Sequence, residues 1–490
     1  MSETTAAPPP GADLCPLAVD LDGTLIASDT LVESVVALLR ARPWLLLLLP
    51  LWLLQGRAGF KARVAAAGRL PVQHLPWRRE FIDWLRAERA RGRPVWLATA
   101  AHRQIAEEVA AALPLFDGVL ASEGAQNLKG RHKLEALRAR LGARFSYAGD
   151  SRADLPIWAA AESAVFVGVP PRLAAEARAA GARPEREFPA PAPSLRLWLR
   201  AMRVHQWVKN LLIFVPLLTA FAFLEPRALG LASLAFLAFS LTASGTYLLN
   251  DLWDLDNDRQ HARKRQRPLA SGRLPLLQGV LGAGLLLGAG LLIAALSSWA
   301  LLLLLIGYVV LTTVYSGVLK TYVLMDVLAL ALLYTYRVVT GGVVTGIELS
   351  PWLLAFSVFL FLSLALVKRC AELVALGEEG RPSTTGRDYR VTDLAVLWPL
   401  GVGAGLCAVL VFGLFIGSPD AQRSYGQTSV LWLVGVGLIY WLARVWVKTS
   451  RGEMHDDPVV FALTDRGSRV AVACMVAVPV LAHLFLWGGE

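Results

Sequence analysis

The chain has 490 residues, of which 18% are charged, a formal net charge of +10 and a mean hydropathy of +0.50. Those values exclude a purely aqueous globular protein of this length. The four cysteines (Cys15, Cys370, Cys407 and Cys474) show neither disulfide nor metal spacing. The positive balance suits anionic lipid or phosphorylated ligands, and no nucleic-acid partner is expected.

The first residues, MSETTAAPPPGAD, lack the charged start and apolar core of a cleavable signal, so the domain that follows is expected in the cytoplasm. LAVDLDGTL (Leu17 to Leu25) is an apolar run ending in Asp20, Asp22 and a glycine turn. VWLATA (Val95 to Ala100) is a second such run and carries Thr99. LKGRHKLEAL places Lys133 near a helix start, and YAGDSRADLPIW (Tyr147 to Trp158) supplies Asp150, Ser151 and Asp154 after a third run. Strand-like runs alternate with helical stretches. The expected fold is therefore a Rossmann-like α/β domain, a parallel sheet with helices on both faces and its site at the strand carboxyl ends.

The residue types suggest phosphoryl chemistry. Asp20 can accept a phosphoryl group, and Asp22 can protonate the leaving oxygen and later activate water. Asp20 and Asp150 suit Mg²⁺, with Asp22 and Asp154 completing the acidic set around it. Thr99 can hydrogen-bond the phosphoryl group, and Lys133 can offset its charge. These motifs, in this order over about residues 14–170, resemble those of the haloacid dehalogenase-like (HAD) phosphatases. The phosphatase domain is expected over 1–182, with a small helical cap at about 26–94. Within the cap, the apolar run Trp44 to Leu54 is too short to span a bilayer. It is either a buried cap helix or a patch on the membrane surface, and Arg57, Lys61 and Arg63 beyond it favour the second.

RPEREFPAPAPS (Arg183 to Ser194) reads as a Pro/Ala linker over 183–194. From 195 to 490 the chain is expected to form an all-α polytopic domain. Its nine spans fall near 208–224, 229–249, 275–295, 298–317, 325–346, 351–368, 393–416, 428–447 and 470–487. Basic residues crowd alternate loops: Arg259 to Arg273, Lys320, Lys368 to Arg390, and Arg444 to Arg469. The opposite side has only Arg227 and Arg423. The positive-inside rule then puts the N-terminal domain in the cytoplasm and the C-terminus outside, in the cytoplasmic membrane.

The second span ends in LLNDLWDLDND (Leu248 to Asp258). On a helix, with Asp251 at zero, Asp254 falls near −60°, Asp258 near −20° and Asn250 near −100°, while Asp256 falls near +140°. One face thus holds three carboxylates and an amide, too much negative charge without a cation such as Mg²⁺. Arg337 lies inside a span, where a buried cation needs a partner or ligand; Asp326, about three turns away, is too far along one helix to touch it.

NDLWDLDND matches the NDxxDxxxD pattern and resembles the UbiA-type membrane prenyltransferases, nine-helix proteins with a central cavity. Asn250, Asp251, Asp254 and Asp258 take the motif positions. Ordinary members carry a second Asp-rich motif in the loop after the sixth helix; this chain has the basic KRCAELVALGEEGRPSTTGRDYRVTD there instead. RVHQWVKNLLIF, YSGVLKTYVLMD, YRVVTGG and RGEMHDDPVVFALTDR look like the polyprenyl-phosphate phosphoribosyltransferases of bacterial arabinan synthesis, a cell-wall pathway. That resemblance implies phosphoribosyl pyrophosphate as donor, a polyprenyl phosphate as acceptor and Mg²⁺ on the Asp cluster. It makes Lys209, Tyr315, Lys320, Asp326, Arg337, Lys368 and Arg369 candidates for substrate contacts. The lipid product would keep a 5-phosphate that the HAD domain can remove. The alternative is prenyl transfer from a prenyl diphosphate to an aromatic or other acceptor, with an unrelated phosphatase substrate. Lipid chain length and oligomeric state are not encoded legibly.

Overall fold

The computed structural model describes residues 14–486 apart from 55, 69, 124–126, 191–193, 262, 385–386, 426 and 455–456. The chain folds as two units, Met1–Met202 with Tyr247–Ala283, and Arg203–Thr246 with Gly284–Glu490.

The first unit is built on a six-stranded parallel sheet in the order β3-β2-β1-β4-β5-β6. Its strands are β1 (Leu17–Val19), β2 (Val95–His102), β3 (Gly118–Ser122), β4 (Ser146–Gly149), β5 (Ser163–Val167) and β6 (Pro184–Phe188). The central β1 is wholly buried, as a strand covered on both faces must be, and its sequence is accordingly apolar throughout. The chain reverses its direction of winding between β1 and β4, so a crevice opens at the carboxyl ends of those two strands.

Two expected boundaries differ. Residues 184–188, read as linker, are the edge strand β6; PEREF pairs with β5 despite its charges because an edge strand is half solvated. The expected cap at 26–94 is also shorter. Helix Arg79–Ala90 buries Phe81, Ile82 and Leu85 in the sheet core, as the crossover that a parallel β1–β2 pair requires. The cap proper contains helices Thr30–Ala41 and Gly56–Ala67. Between them the apolar run is exposed, with Trp44, Leu47 and Leu54 at 64%, 79% and 84% accessibility, which overturns the buried-helix reading. Lys61 does not join that patch: its Nζ donates to the Ala100 carbonyl at 2.9 Å, while Arg63 is exposed.

The Tyr247–Ala283 segment is fastened to the cap. Arg259 donates through two nitrogens to Glu33, at 2.6 and 3.0 Å, with both side chains nearly inaccessible. Arg40 pairs with Asp256, the carboxylate that helical geometry set apart from the other three. Breaking a buried pair on one side costs about 3–5 kcal/mol. Glu33→Ala is therefore expected to speed amide exchange in residues 255–273 by roughly a hundredfold or more. Adding Arg259→Met should restore protection; unaltered exchange in the single variant would show that the pair does not hold the segment.

Among the described residues seven helices are long and apolar enough to cross a membrane. They are Pro226–Trp253, Leu276–Ser297, Trp299–Thr321, Met325–Thr345, Pro351–Glu378, Val391–Ile416 and Thr428–Ser450. Seven of the nine expected spans fall on these helices. The first expected span, 208–224, is broken into a 3-10 run (Val204–Phe214), a short helix (Val215–Thr219) and a second 3-10 turn (Ala222–Leu224). Pro216 cannot donate to the preceding turn, and Phe221 takes a left-handed φ of 54° that ends the helix. The ninth falls on helix Arg466–Leu486, which reaches the end of the described residues. The outer faces of the long helices are apolar, Leu285 and Leu296 being 74% and 80% exposed, as a lipid-facing surface requires.

Candidate functional sites

In the first unit, Asp20 follows β1 and Asp150 follows β4, so the crevice brings them together. Asp20, Asp150 and Asp154 each offer an oxygen within 4.8 Å of the others. Lys133 Nζ lies 2.8 Å from Asp20 Oδ2, and the Leu21 amide donates to Asp20 Oδ1 at 2.8 Å. Three hard oxygen donors crowded against one ammonium suit a divalent cation such as Mg²⁺. Gly23 makes the crowding possible: a Cβ there would sit 2.0 Å from Asp150 Oδ2, and its φ of +73° disfavours other residues.

The electrostatics agree. Burial, with the charges of Asp154 and others added, pushes the Asp20 carboxyl up against the pull of Lys133. Burial and the Asp20 and Asp154 charges push Asp150 well up. Burial lowers Lys133, but Asp20 and Asp154 more than reverse it, so it stays protonated. Asp22, also expected among the metal ligands, stands outside the three-carboxylate set. Its Oδ1 accepts the Thr30 amide at 2.7 Å, at the start of the first cap helix. Burial, followed by the charge of Asp29, pushes Asp22 up to about 7. A carboxyl titrating there can both give and take a proton near neutrality.

Thr99 is wholly buried, its Oγ accepting the Ala101 amide at 3.0 Å, and it is not on the wall of the crevice. The phosphoryl contact expected of it is not in place. Three residues were missed. The Tyr147 hydroxyl receives a hydrogen bond from Lys133 at 2.9 Å and reaches Asp154 at 2.9 Å and Asp20 at 3.3 Å, tying the acidic set together. Lys61 enters from the cap, and Arg78 donates to the Gly23 carbonyl at 3.0 Å; both line the crevice. For Tyr147, the only sequence signal was its place two residues before the strand-end Gly149.

The NDLWDLDND segment also belongs to the first unit from Tyr247 onward. Helix Pro226–Trp253 yields to helix Leu255–Gln260 at Asp254, yet backbone bonds from Asp254 to Asn250 and from Asp258 to Asp254 continue across the joint. Asp251 and Asp258 are buried, whereas Asn250 and Asp254 are half-buried. The two buried carboxylates converge on one atom: Arg267 Nη1 donates to Asp251 Oδ1 at 3.1 Å and to Asp258 Oδ2 at 2.6 Å. Two carboxylates that can share one cationic nitrogen are close enough to share a metal ion, so the donor set fits Mg²⁺.

The second unit gathers three of the expected cations. Lys209 Nζ lies 2.7 Å, and Lys368 Nζ 3.5 Å, from Asp457 Oδ2, which also accepts the Tyr334 hydroxyl at 2.9 Å. Arg337 stacks near the Tyr308 and Tyr334 rings and is buried. Its partners are neutral: Asn210 Oδ1 at 2.8 Å, the Tyr308 hydroxyl at 3.1 Å and the Leu333 carbonyl. Among the described residues, two lysines thus share one carboxylate, and Arg337 lies over the ring of Tyr334, whose hydroxyl meets the same carboxylate. His455 and Asp456, which precede Asp457 in the sequence, lie outside the described residues.

Arg369 and Asp326 are placed differently. Both are inaccessible and contact each other at 2.5 Å, a contact of charge rather than an aligned hydrogen bond. Arg369 also pairs with Glu372, and Tyr389 donates to Asp326. This network is internal, so the substrate contacts expected of these two residues are not available in this arrangement. Lys320 and Tyr315 are half-buried.

Residues 211–464 match the model of the UbiA prenyltransferase family, and residues 17–159 that of the haloacid dehalogenase-like hydrolases. An uncharacterized protein, y4nM, of Sinorhizobium fredii is 39% identical over 95% of this chain and 91% of its own length. The decaprenyl-phosphate phosphoribosyltransferase of Mycobacterium tuberculosis is 34% identical over 57% of this chain and 91% of its own. A solved UbiA homolog from Archaeoglobus fulgidus, bound to GPP and Mg²⁺, is 17% identical, with a TM-score of 0.45, over 58% of this chain and 99% of that one. The chain belongs to the UbiA prenyltransferase family, and a HAD-like domain is fused at its N-terminus.

Proposed function

We propose that the membrane domain transfers 5-phosphoribose from phosphoribosyl pyrophosphate to a polyprenyl phosphate, and that the N-terminal domain then removes the 5-phosphate. The observation that carries this reading is the group of Lys209, Lys368 and Arg337 around Asp457 and Tyr334. Two lysines on one carboxylate, with Arg337 beside the same tyrosine, leave an excess of positive charge among the described residues that suits a ligand with several phosphate groups. Donor and acceptor together bring at least three. The likeness to decaprenyl-phosphate phosphoribosyltransferase supports the same choice.

In the first reaction a phosphate oxygen of the polyprenyl phosphate attacks ribose C1. The bond from C1 to pyrophosphate breaks, and pyrophosphate leaves with the electron pair. No side chain acts as nucleophile. In the first unit Asp251, Asp254 and Asp258 would hold Mg²⁺, with Asn250 beside them. In the second unit Lys209, Lys368 and Arg337 would bind phosphate charge. In the second reaction Asp20 attacks the phosphorus of the 5-phosphate and Asp22 protonates the departing O5. Water then cleaves the aspartyl phosphate, giving its proton to Asp22 and releasing phosphate. Lys133 and Tyr147 hold Asp20 in place, and Asp20, Asp150 and Asp154 would hold Mg²⁺. At both sites the cation, when bound, neutralises phosphate charge. Both reactions are assigned to the cytoplasmic face of the membrane, with the C-terminus outside.

The test is a choice of donor. Purified protein with Mg²⁺ is offered a polyprenyl phosphate and ribose-labelled phosphoribosyl pyrophosphate, or a prenyl diphosphate with an aromatic acceptor. Label in the lipid phase is expected from the first pair. Prenylated acceptor with no labelled lipid would replace this reading by prenyl transfer.

A further inference from the structure

The crevice at Asp20 opens into a cavity of about 1340 Å³, far more than one phosphoryl group fills. Ligand pockets for whole small molecules run to roughly 300–1,000 Å³. One wall carries Asp20, Asp22, Lys133 and Asp150. Another part of the lining lies outside the residues that match the HAD model: it comes from the stretch Arg259 to Leu277, which follows the NDxxDxxxD segment and belongs to the same unit.

That wall is fixed. Arg259 is bound to Glu33 and donates to the Ala270 carbonyl at 3.2 Å, and Arg40 holds Asp256. Gly272, at φ +70°, packs so closely that a Cβ would fall 2.6 Å from the Ala27 carbonyl oxygen. On this wall Arg265 and Arg273 are exposed, and neither is in an ion pair among the described residues. Two free guanidinium groups facing a cavity suit an anion at some distance from the phosphoryl group at Asp20. Beyond them the wall ends in Leu276 and Leu277, where the candidate span Leu276–Ser297 begins; Leu277 is 55% exposed. An apolar rim at the start of a membrane helix suits a prenyl chain.

We infer that the N-terminal site takes a phosphomonoester joined through a phosphodiester to an isoprenoid, and that Arg265 and Arg273 grip the phosphodiester. This rests on the proposed phosphatase reading and names its substrate class. The family segment that carries the transferase carboxylates thereby completes the substrate site of the hydrolase.

The experiment uses the full chain in nanodiscs with Mg²⁺ and compares ribose 5-phosphate with farnesyl-phosphoryl-ribose 5-phosphate, reading phosphate release. The wild type is expected to show a KM for the diester roughly 10 to 100 times lower, the range of two charged contacts weakened by their exposure to solvent. In Arg265→Ala/Arg273→Ala that ratio should fall towards one. The same comparison with ribose 1-methylphosphate 5-phosphate separates the anion from the prenyl chain: most of the discrimination is expected to persist without the chain. Equal KM values for all three substrates in the wild type, or a ratio unchanged in the double variant, would overturn the inference while leaving the phosphatase intact. Release from none of the three by the wild type would remove the phosphatase reading itself, and the inference with it.

Discussion

Asp20→Asn is expected to leave a ribosylated lipid that still carries its 5-phosphate. Asn cannot form the acyl phosphate, so hydrolysis should fall by at least about a thousandfold. The amide loses the charge that pairs with Lys133 at 2.8 Å, but its size is kept and Asp154 and Asp22 still face that ammonium, so the sheet should still fold. Transfer of ribose to the lipid is expected to continue, because Asp251 and Asp258 belong to a separate cluster. Mass spectrometry of the lipid phase reads both results together. Dephosphorylated lipid at the wild-type yield would show that Asp20 does not remove this phosphate.

Asp258→Asn should give the opposite pattern. Asp258 is 2% exposed and shares Arg267 Nη1 with Asp251, so the loss of one charge weakens the point where the two buried carboxylates of this segment converge. Ribose transfer is expected to fall by about a hundredfold or more. Hydrolysis of a supplied phosphoribosyl lipid should persist. Raised Mg²⁺ concentration should recover part of the transfer in Asp258→Asn. Full transfer by the variant at ordinary Mg²⁺ would remove Asp258 from the metal site.

Much of the architecture was legible because the residues that carry chemistry stand at places the backbone repeats. Asp20 and Asp150 are at the ends of apolar strand runs, and adjacent parallel strands bring such ends together. Helical spacing separated Asp256 from Asp251 and Asp258, and the structure gives Asp256 a different partner, Arg40. That partner was not legible, since it lies in the cap, more than two hundred residues earlier in the chain. Separation in sequence also hid the ties of Arg337 to Asn210 and Tyr308, which lie on other elements of the chain. Its burial followed from its position within a span, but nothing local named what would satisfy it. Thr99 shows the reverse error. A hydroxyl near the end of a strand promised a phosphoryl contact, but β2 runs on to His102 and keeps Thr99 inside. The 3-10 segment Val204–Phe214 was apolar enough to count as part of a span, and composition alone does not distinguish it from an α-helix.

The central claim is that one chain makes a phosphoribosyl lipid and then removes its 5-phosphate. The most direct measurement is the phosphate count of the lipid that the purified wild-type protein makes from ribose-labelled phosphoribosyl pyrophosphate, a polyprenyl phosphate and Mg²⁺. The account predicts labelled lipid with the phosphodiester alone, preceded in time by a species one phosphoryl group heavier. Labelled lipid that keeps both phosphorus atoms indefinitely, or no labelled lipid at all, would contradict it.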